Sequence, residues 1–240
     1  MSHPGLCTAP RRYFTSKSGD LLRKNKANVT NEEILRAFSH RPKPKCEVVA
    51  VFISSSPSGA FLDNKWRAQP AVMSASASRL MRCGASEEEP GRSITTFEYL
   101  KAKDLSAFLK RPAKPDGSML QRFVDPRGEY NTAIRADWSP QMLVLEQREN
   151  VCRLADQGLD HYQRVVTFEG AAHNSLSGAV KQHSTALRLR QACESIADHL
   201  ATTGSRQARP LRMVLFFKVG TAARVCLRVR LLRDVLPLCM

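Results

Sequence analysis

A cysteine, two aspartates and a histidine lie close together in the sequence, and these side-chain types can form a nucleophilic site. The residues are Cys152, Asp156, Asp160 and His161. A cysteine attacks as its thiolate, whose formation a neighbouring imidazole favours, and a carboxylate can orient that imidazole. The spacing matches no family signature, so we favour the alternative of a buried structural cysteine and a surface histidine.

A second group of chemically useful side chains lies in the segment Glu169 to Asn174, which follows a predicted strand. Functional loops are often placed at strand ends, and this one offers a carboxylate, the imidazole of His173 and an amide. An ordinary polar turn has the same composition. Catalysis by residues 169–173 is therefore the least favoured of three functional hypotheses.

Motifs for nucleotide or metal binding are absent from the sequence. It contains no Gly-rich phosphate loop of either the P-loop or the dinucleotide type. None of the histidines forms an H-x-x-x-H pair or lies one turn from a cysteine in a metal pattern. The sequence therefore predicts no cofactor, no metal and no enzymatic activity. The histidines are His3, His40, His161, His173, His183 and His199.

The cysteine pattern and the hydropathy indicate a reducing compartment. The 7 cysteines are dispersed and never spaced as C-x-x-C, which is typical of free thiols. No apolar run reaches the roughly 18 residues that a membrane span needs, so we predict a cytoplasmic protein. A mitochondrial transit peptide is the alternative for residues 1–19, which contain Arg11 and Arg12 but no acid; Pro4 and Pro10 interrupt a helix there.

The net charge of +15 is concentrated at the two ends of the chain. Residues 1–45 carry ten Lys or Arg against three Asp or Glu, and residues 205–240 carry eight against one. Summed charge of this kind attracts an anionic surface over long range; improved solubility is the simpler explanation. The candidate residues for binding an anionic partner are Arg11, Arg12, Lys17, Arg23, Lys24, Lys26, Arg224, Arg228 and Arg230.

The anionic partner can be an acidic protein surface such as tubulin, nucleic acid or anionic lipid. Nucleic-acid binding usually combines aromatic rings that stack on bases with basic residues that neutralise phosphates. Phe216 and Phe217 beside Lys218 come nearest to that arrangement. The signature of an RNA-recognition motif is missing, and Phe217 is predicted to lie in the core. An acidic protein surface is therefore the favoured partner.

Three segments are predicted to be helices. Thr30 and Glu33 form a capping box at the start of a helix over residues 31–39. Apolar residues spaced for one helical face predict a second helix over residues 96–109, which Pro112 ends. The third, over residues 181–202, has an apolar stripe at positions i, i+4, i+7 and i+11.

The predicted strands are short and separated by turn residues. Three of them, with Asp-Pro-Arg-Gly and Ser-Pro between them, indicate an antiparallel meander, and the last two form a C-terminal hairpin whose second strand has Arg224, Arg228 and Arg230 opposite its apolar face. The predicted strands are residues 47–53, 119–124, 132–138, 142–147, 162–168, 212–219 and 224–232.

These elements predict an α+β fold, in which one antiparallel sheet is packed on one face by one or two helices. A disordered insertion rich in Ser, Ala and Pro interrupts it. The oligomeric state is left open. The predicted organisation is a basic flexible N-terminus (1–30), a helix and strand packing on the main domain (31–53), a disordered linker or insertion (54–93), the α+β domain (94–233) and a tail (234–240).

Three sequence segments resemble poorly characterised proteins of flagellated and ciliated eukaryotes. They are Leu120 to Asn131, Val166 to Gly170 and Arg212 to Lys218. The resemblance extends over residues 11–53 and 94–220, implies no activity or catalytic residue, and favours an axonemal or cytoskeletal role. The Arg/Leu-rich sequence after Gly220 departs from the pattern, which puts the last strand and its basic face in doubt.

Three functional hypotheses follow from the sequence. The first is a non-enzymatic structural or interaction protein of a ciliary or cytoskeletal assembly, whose basic ends bind acidic surfaces. The second is an accessory protein that binds nucleic acid in the cytosol or the mitochondrion. The third is an enzyme that uses the loop 169–173, which requires these side chains to converge in one pocket with Cys152 or His161.

Overall fold

The structure is a computed structural model of the 240-residue chain. It consists of two antiparallel sheets and four helices in the part of the chain that it describes. The α+β class and the antiparallel strand arrangement predicted from the sequence are confirmed, but the strands form two sheets instead of one. The described residues are 12–15, 21–22, 29–40, 44–56, 81–83, 94–111, 114–115, 118–203, 209–220 and 225–233.

The first sheet has six strands, and two helices cover one of its faces. Helix α1 spans Asn31–Ser39 and helix α2 spans Ala102–Leu109. The strand order is β2-β1-β6-β3-β5-β4, and every neighbouring pair is antiparallel. The strands are β1 (Arg12–Thr15), β2 (Leu21–Leu22), β3 (Val48–Ser56), β4 (Met81–Cys83), β5 (Ile94–Lys101) and β6 (Met119–Arg122).

The second sheet has five strands in the order β11-β10-β7-β8-β9, again antiparallel throughout. A short helix, α3 (His161–Val165), follows β8, and the long helix α4 (His183–Thr203) follows β9. The strands are β7 (Tyr130–Trp138), β8 (Leu143–Arg153), β9 (Ser175–Gly178), β10 (Arg212–Val219) and β11 (Val225–Arg233).

Three elements with strong local signals form as predicted. The hydroxyl of Thr30 accepts a hydrogen bond of 3.2 Å from the backbone N–H of Glu33 and caps α1. Helix α4 begins two residues after the predicted start and ends one residue after the predicted end. The predicted C-terminal hairpin is formed by β10 and β11, which pair along their whole length.

The helix predicted over residues 96–109 is wrong in its first half, because residues 94–101 form β5 and the helix begins at Ala102. Ile94 to Phe97 are β-branched or aromatic, as strands prefer. Strand β5 pairs with β3 over its full length, and this long-range pairing overrides the helical spacing of Phe97 and Leu100. The hydroxyls of Ser54 and Thr96, 2.7 Å apart, join the two strands in the interior.

The predicted meander is wrong at its first step. Strand β6 pairs with β1 and β3 in the first sheet, and not with β7. The Asp-Pro-Arg-Gly sequence, which predicts a tight hairpin turn, lies instead between Phe123 and Glu129, where the chain passes from the first sheet to the second. Strands β7 and β8 do form a hairpin, and the hydroxyl of Ser139 accepts from the N–H of Met142 at its turn.

The strand predicted over residues 162–168 is also wrong, because His161 to Val165 form helix α3. The carboxylate of Asp160 accepts from the backbone N–H of Tyr162 at 3.0 Å, and the side chain of Gln163 accepts from the N–H of Asp160 at 3.3 Å. This is a reciprocal capping box. The capping residues Asp160 and Gln163 are visible in the sequence and favour a helix, but the apolar run that follows them favours a strand.

Two predicted boundaries need correction. Strand β3 continues to Ser56 and Met81 to Cys83 form β4, so the segment predicted to be a linker, 54–93, contributes strand residues to the first sheet. Strands β1 and β2 lie within the segment 1–30 that was predicted to be flexible. Residues 57–80 and 84–93, like the tail 234–240, lie outside the described residues.

The described residues form three apolar clusters in the interior. Two are outer cores, one between the first sheet and helices α1 and α2, around Phe38 and Phe108, and one between the second sheet and α4, around Leu189 and Phe217. The third, the central layer, lies between the two sheets and contains side chains from β3, β5 and the segment 154–166. Strand β3 faces both the first outer core and the central layer, which explains its continuous apolar sequence.

Candidate functional site

The structure brings together two of the four residues in the predicted nucleophilic group. Oδ1 of Asp160 lies 2.9 Å from Nδ1 of His161, and the histidine is only 6% exposed. Such a contact fixes the proton on Nδ1, which then donates to the carboxylate, and leaves Nε2 as the acceptor of a neutral ring. Asp160 and His161 thus form the oriented pair that the sequence hypothesis requires.

The other two residues do not join this pair. Cys152 lies in β8, and its backbone N–H donates to the side-chain oxygen of Asn150 at 2.7 Å. The carboxylate of Asp156 accepts from the backbone N–H of Gly158 in a local turn. Within the described part of the chain, Nε2 of His161 has no hydrogen-bond partner, so the thiol of Cys152 does not donate to it.

The loop that follows α3 has a structural role in this fold. Glu169 is buried, and its carboxylate accepts from the hydroxyls of Tyr99 and Thr167. His173 lies in a single 3₁₀ turn and is exposed. The side chain of Glu169 therefore lies beside the central layer, whereas that of His173 lies in solvent.

Three of the nine basic residues predicted to bind an anionic partner fall within the described strands. Arg12 is the first residue of β1, opposite Gln121 of β6, and Arg228 and Arg230 lie on β11. Among the described strands, β11 pairs only with β10 and is the outer strand of the second sheet. The remaining six lie outside the described residues: Arg11, Lys17, Arg23, Lys24, Lys26 and Arg224.

The Asp160–His161 pair lies in the wall of a cleft of about 990 Å³. The cleft is formed where three chain segments meet: the approach to β3, the junction of β5 with α2, and the turn between β8 and α3. Cys152, Glu169 and His173 are not among its lining residues. The lining consists of Pro44, Lys45, Cys46, Glu47, Lys101, Ala102, Lys103, Leu154, Ala155, Gln157, Leu159, Asp160, His161 and Arg164.

Arg164 anchors the wall of the cleft from the inside. Its side chain is 3% exposed, and its guanidinium donates to the carbonyls of Leu154 and Leu159 and, at 2.6 Å, to Oε1 of Glu47. Burial raises the pKa of Glu47, but hydrogen bonds from its own backbone, Arg164 and Lys101 outweigh this effect, so the pKa lies below its ordinary value. Glu47 is therefore ionised at neutral pH.

The opposite wall is formed by the N-terminus of α2. The N-cap residue is Lys101, whose side chain makes no capping hydrogen bond; its ammonium group lies 3.3 Å from Oε1 of Glu47 instead. Ala102 and Lys103, the first two helical residues, line the cleft. Backbone N–H groups at a helix start have no partner within the helix and carry partial positive charge.

The imidazole of His161 is electrostatically unusual in this position. Burial is the largest cause that lowers its pKa, and the nearby charge of Lys101 lowers it further, while Asp160, Glu47 and Asp104 act in the opposite direction with less effect. The net shift is downward, which keeps the ring neutral at neutral pH. A buried ring nitrogen without a partner is uncommon in folded proteins.

Most of the cleft residues have no signal in the sequence that connects them. Lys101, Arg164 and Glu47 are far apart in the sequence, and no motif connects them; only the capping box from Asp160 to Gln163 marks the element that carries Arg164. The described ranges contain no cluster of three or more His, Cys, Asp and Glu residues suited to hold a metal ion. None of the helices in those ranges combines the length and apolar character that crossing a membrane requires.

Comparison of the protein with models of known families, with curated proteins and with solved structures finds no match. Functional inference for this chain therefore depends on its own residues and their arrangement.

Proposed function

We propose that the protein is a non-enzymatic interaction protein of a ciliary or cytoskeletal assembly, which binds an acidic protein surface through the basic segments at its two ends. The observation that carries the proposal is the distribution of charge. The end segments 1–45 and 205–240 each have a net charge of +7, whereas the 159 residues between them have 19 basic and 18 acidic residues. Charge concentrated in this way favours capture of a partner with the opposite sign.

Ion pairs balance much of the charge of the body, and two arginines of the C-terminal segment, Arg209 and Arg212, also lie beside carboxylates of the body. Exposed arginines of the body lie beside carboxylates: Arg135 is 2.8 Å from Glu146, and Arg153 is 3.3 Å from Glu129. These pairs balance charge locally, so the body has little uncompensated positive charge that could bind a partner. By contrast, β11 has three arginines and no acidic residue in nine positions.

The position of β11 suits an interaction surface. It is the outer strand of its sheet among the described strands, and Arg230 lies opposite Leu215 in the pairing with β10. Outer strands present backbone groups as well as side chains to their surroundings, and basic side chains there limit uncontrolled pairing with other strands. The resemblance to proteins of ciliated eukaryotes favours a ciliary or cytoskeletal partner such as the acidic surface of tubulin.

Cosedimentation of the full-length protein with taxol-stabilised microtubules tests the proposal. RNA of equal total charge is the competitor, at physiological and at raised salt. The informative variant is Arg224→Gln, Arg228→Gln and Arg230→Gln combined, with the matched control Lys110→Gln, Lys181→Gln and Arg190→Gln, which removes the same charge from exposed body positions. We expect the first triple variant to weaken microtubule binding strongly and the control to leave it nearly unchanged.

Two results would contradict the proposal. Selective binding to RNA would favour the nucleic-acid hypothesis. Equal losses in the two triple variants would show that net charge, and not the basic ends, determines binding. Circular dichroism of each variant establishes that the fold is retained.

A further inference from the structure

We propose that the cleft between α2 and α3 binds a phosphate monoester group, which the N-terminus of α2, Lys101, Lys103 and His161 hold together. This site includes only Pro44 and Lys45 from the basic end segments, and it does not depend on the function proposed for them. Three properties of the cleft carry the inference: its excess of positive charge, its uncapped helix start and its buried histidine nitrogen.

The first property is charge. Lys45, Lys101, Lys103 and Arg164 line the cleft together with only two carboxylates, those of Glu47 and Asp160, which gives a formal excess of two positive charges. Glu47 is shared between Arg164 and Lys101 through one oxygen. The ammonium of Lys45 donates to the uncharged carbonyls of Arg127 and Gly128, each at 2.8 Å, and the carboxylate of Asp125 accepts from its backbone N–H at 3.3 Å. A phosphate monoester carries nearly two negative charges at neutral pH.

The second property is the helix start. Ala102 and Lys103 begin an eight-residue helix whose N-cap side chain makes no hydrogen bond to it. The backbone N–H groups of such a start are a common binding site for phosphate. Lys101, Ala102 and Lys103 all line the cleft, so this helix start contributes both backbone N–H groups and basic residues to its wall.

The third property is independent of the helix. His161 is 6% exposed and lines the cleft, and its Nε2 has no hydrogen-bond partner in the described part of the chain. Asp160 occupies the other ring nitrogen. Nε2 is itself buried in this structure, so binding requires a small rotation of the ring toward the cleft. When a dianion binds next to the ring, the imidazole takes up a proton, and Nε2–H then donates to a phosphate oxygen while Nδ1–H still donates to Asp160.

The volume of the cleft suits a small-molecule ligand. The cleft volume of about 990 Å³ lies at the upper end of the roughly 300–1,000 Å³ usual for small-molecule sites. A phosphate group fills only part of it, which leaves space for the organic portion of a ligand along the apolar side chains of Leu154 and Leu159. The phosphate can belong to a soluble metabolite or to a lipid headgroup.

Isothermal titration calorimetry of the full-length protein tests the site. Glycerol 3-phosphate is the soluble probe, and phosphatidylcholine vesicles with and without phosphatidic acid test the lipid source. We expect saturable binding to glycerol 3-phosphate, to the phosphatidic-acid vesicles, or to both. No saturable binding to any of them, up to about 10 mM soluble probe, would overturn the proposal.

A pair of variants localises the binding. Lys103→Glu reverses an exposed charge at the start of α2, and Lys181→Glu makes the same change at an exposed position outside the cleft. We expect the first to weaken binding by about tenfold or more, the value of a charge-assisted hydrogen bond. The control should change it by less than about twofold, because exposed charges at a distance are screened. Equal effects of both would refute a site in the cleft.

Proton uptake by His161 gives a second readout. Sulfate keeps its charge across the neutral pH range, so a change in its affinity with pH reports a change in protonation of the protein. Because anion binding raises the pKa of the ring from its lowered value, sulfate affinity should increase as the pH falls from about 8 to about 6. The His161→Asn variant should lose this pH dependence. If the variant kept it, a group other than His161 would be taking up the proton. The groups around the ring are Lys45, Glu47, Lys101, Lys103, Asp104, Asp160, Tyr162 and Arg164.

Discussion

The outer cores and the central layer are stabilised by different interactions. In the first outer core, Phe38 and Phe108 are at most 1% exposed and pack among apolar side chains of the helices and the sheet. The cations of Arg111 and Lys114 lie over the ring of Phe108 at the edge of this core. The central layer has an apolar cluster too, but buried polar side chains such as Asn131, Asn150 and Arg164 lie around it. Burial of apolar area dominates in the former, whereas the latter adds many directed hydrogen bonds.

The difference follows from the backbone that each region has to accommodate. The outer cores contain helices and strands, whose backbone groups are paired within the elements. The segment 154–166 in the central layer is a turn and a short helix, so several of its carbonyls need side-chain donors. Asn131, Asn150 and Arg164 supply them. The carbonyls that they bind belong to Leu154, Leu159, Gln163, Val165 and Val166.

The largest expected effect comes from removing a large side chain from the outer core. Phe108→Ala should lower the free energy of unfolding by about 3–5 kcal/mol, because it removes buried area and leaves a cavity. Leu187→Ala, at a 47% exposed position of α4, is the control and should cost less than about 0.5 kcal/mol. Urea denaturation measures both, and a small loss for Phe108 would mean that this core is loosely packed.

A substitution in the central layer should cost somewhat less and by another mechanism. The amide of Asn150 donates to the carbonyls of Gln163 and Val166, each at 2.8 Å, and accepts from the N–H of Cys152. Asn150→Ala leaves these groups buried without partners, at a cost of about 2–4 kcal/mol. Asn150→Asp, of nearly equal size, should be comparably destabilising because it removes both donors. If Asp were tolerated, packing and not hydrogen bonding would explain the role of Asn150.

The cap of α1 provides a smaller effect at the edge of the outer core. Thr30→Ala removes the acceptor for the N–H of Glu33 and should cost about 1 kcal/mol, whereas Thr30→Ser keeps the hydroxyl and most of the stability. Thermal unfolding followed by circular dichroism distinguishes the two. Equal stability of both variants would show that the neighbouring core alone holds the helix start.

The smallest effect is expected at the surface of the second sheet. Arg212 and Asp137 form an ion pair, with Nε 2.9 Å from Oδ1, and the arginine side chain is half exposed. A double-mutant cycle with alanine at each position should give a coupling energy of about 0.2–1 kcal/mol, which salt reduces. A larger, salt-insensitive value would mean that surface charge pairs stabilise this sheet as buried groups do.

The same contrast explains what could be predicted from the sequence. Helix α4 and the β10–β11 hairpin have their periodicity in consecutive residues, and both were predicted. Strand β5 was not, because it takes its conformation from its distant partner β3. Helix α3 was not, because the apolar run over residues 162–168 favours a strand more strongly than the local capping box favours a helix. Local patterns describe the outer cores better than the layer between the sheets.

The candidate site was predictable only in part. Asp160 and His161 are adjacent, and the sequence analysis selected both, although with a cysteine that lies elsewhere. The cleft itself joins residues near positions 45, 101 and 160. Sequence spacing cannot reveal such a meeting, since it depends on how the two sheets pack.

The division of the strands has a consequence for biosynthesis. In the described ranges, the strands of the first sheet come from residues 12–122 and those of the second from residues 130–233. On the ribosome, the first sheet and its two helices are therefore complete before the second has been translated. Until then, Val51, Phe97 and Tyr99 lack the segment 154–166, against which they pack in the complete protein. The nascent chain consequently exposes an apolar, aggregation-prone face for several seconds, and protection by chaperones matters most during this interval.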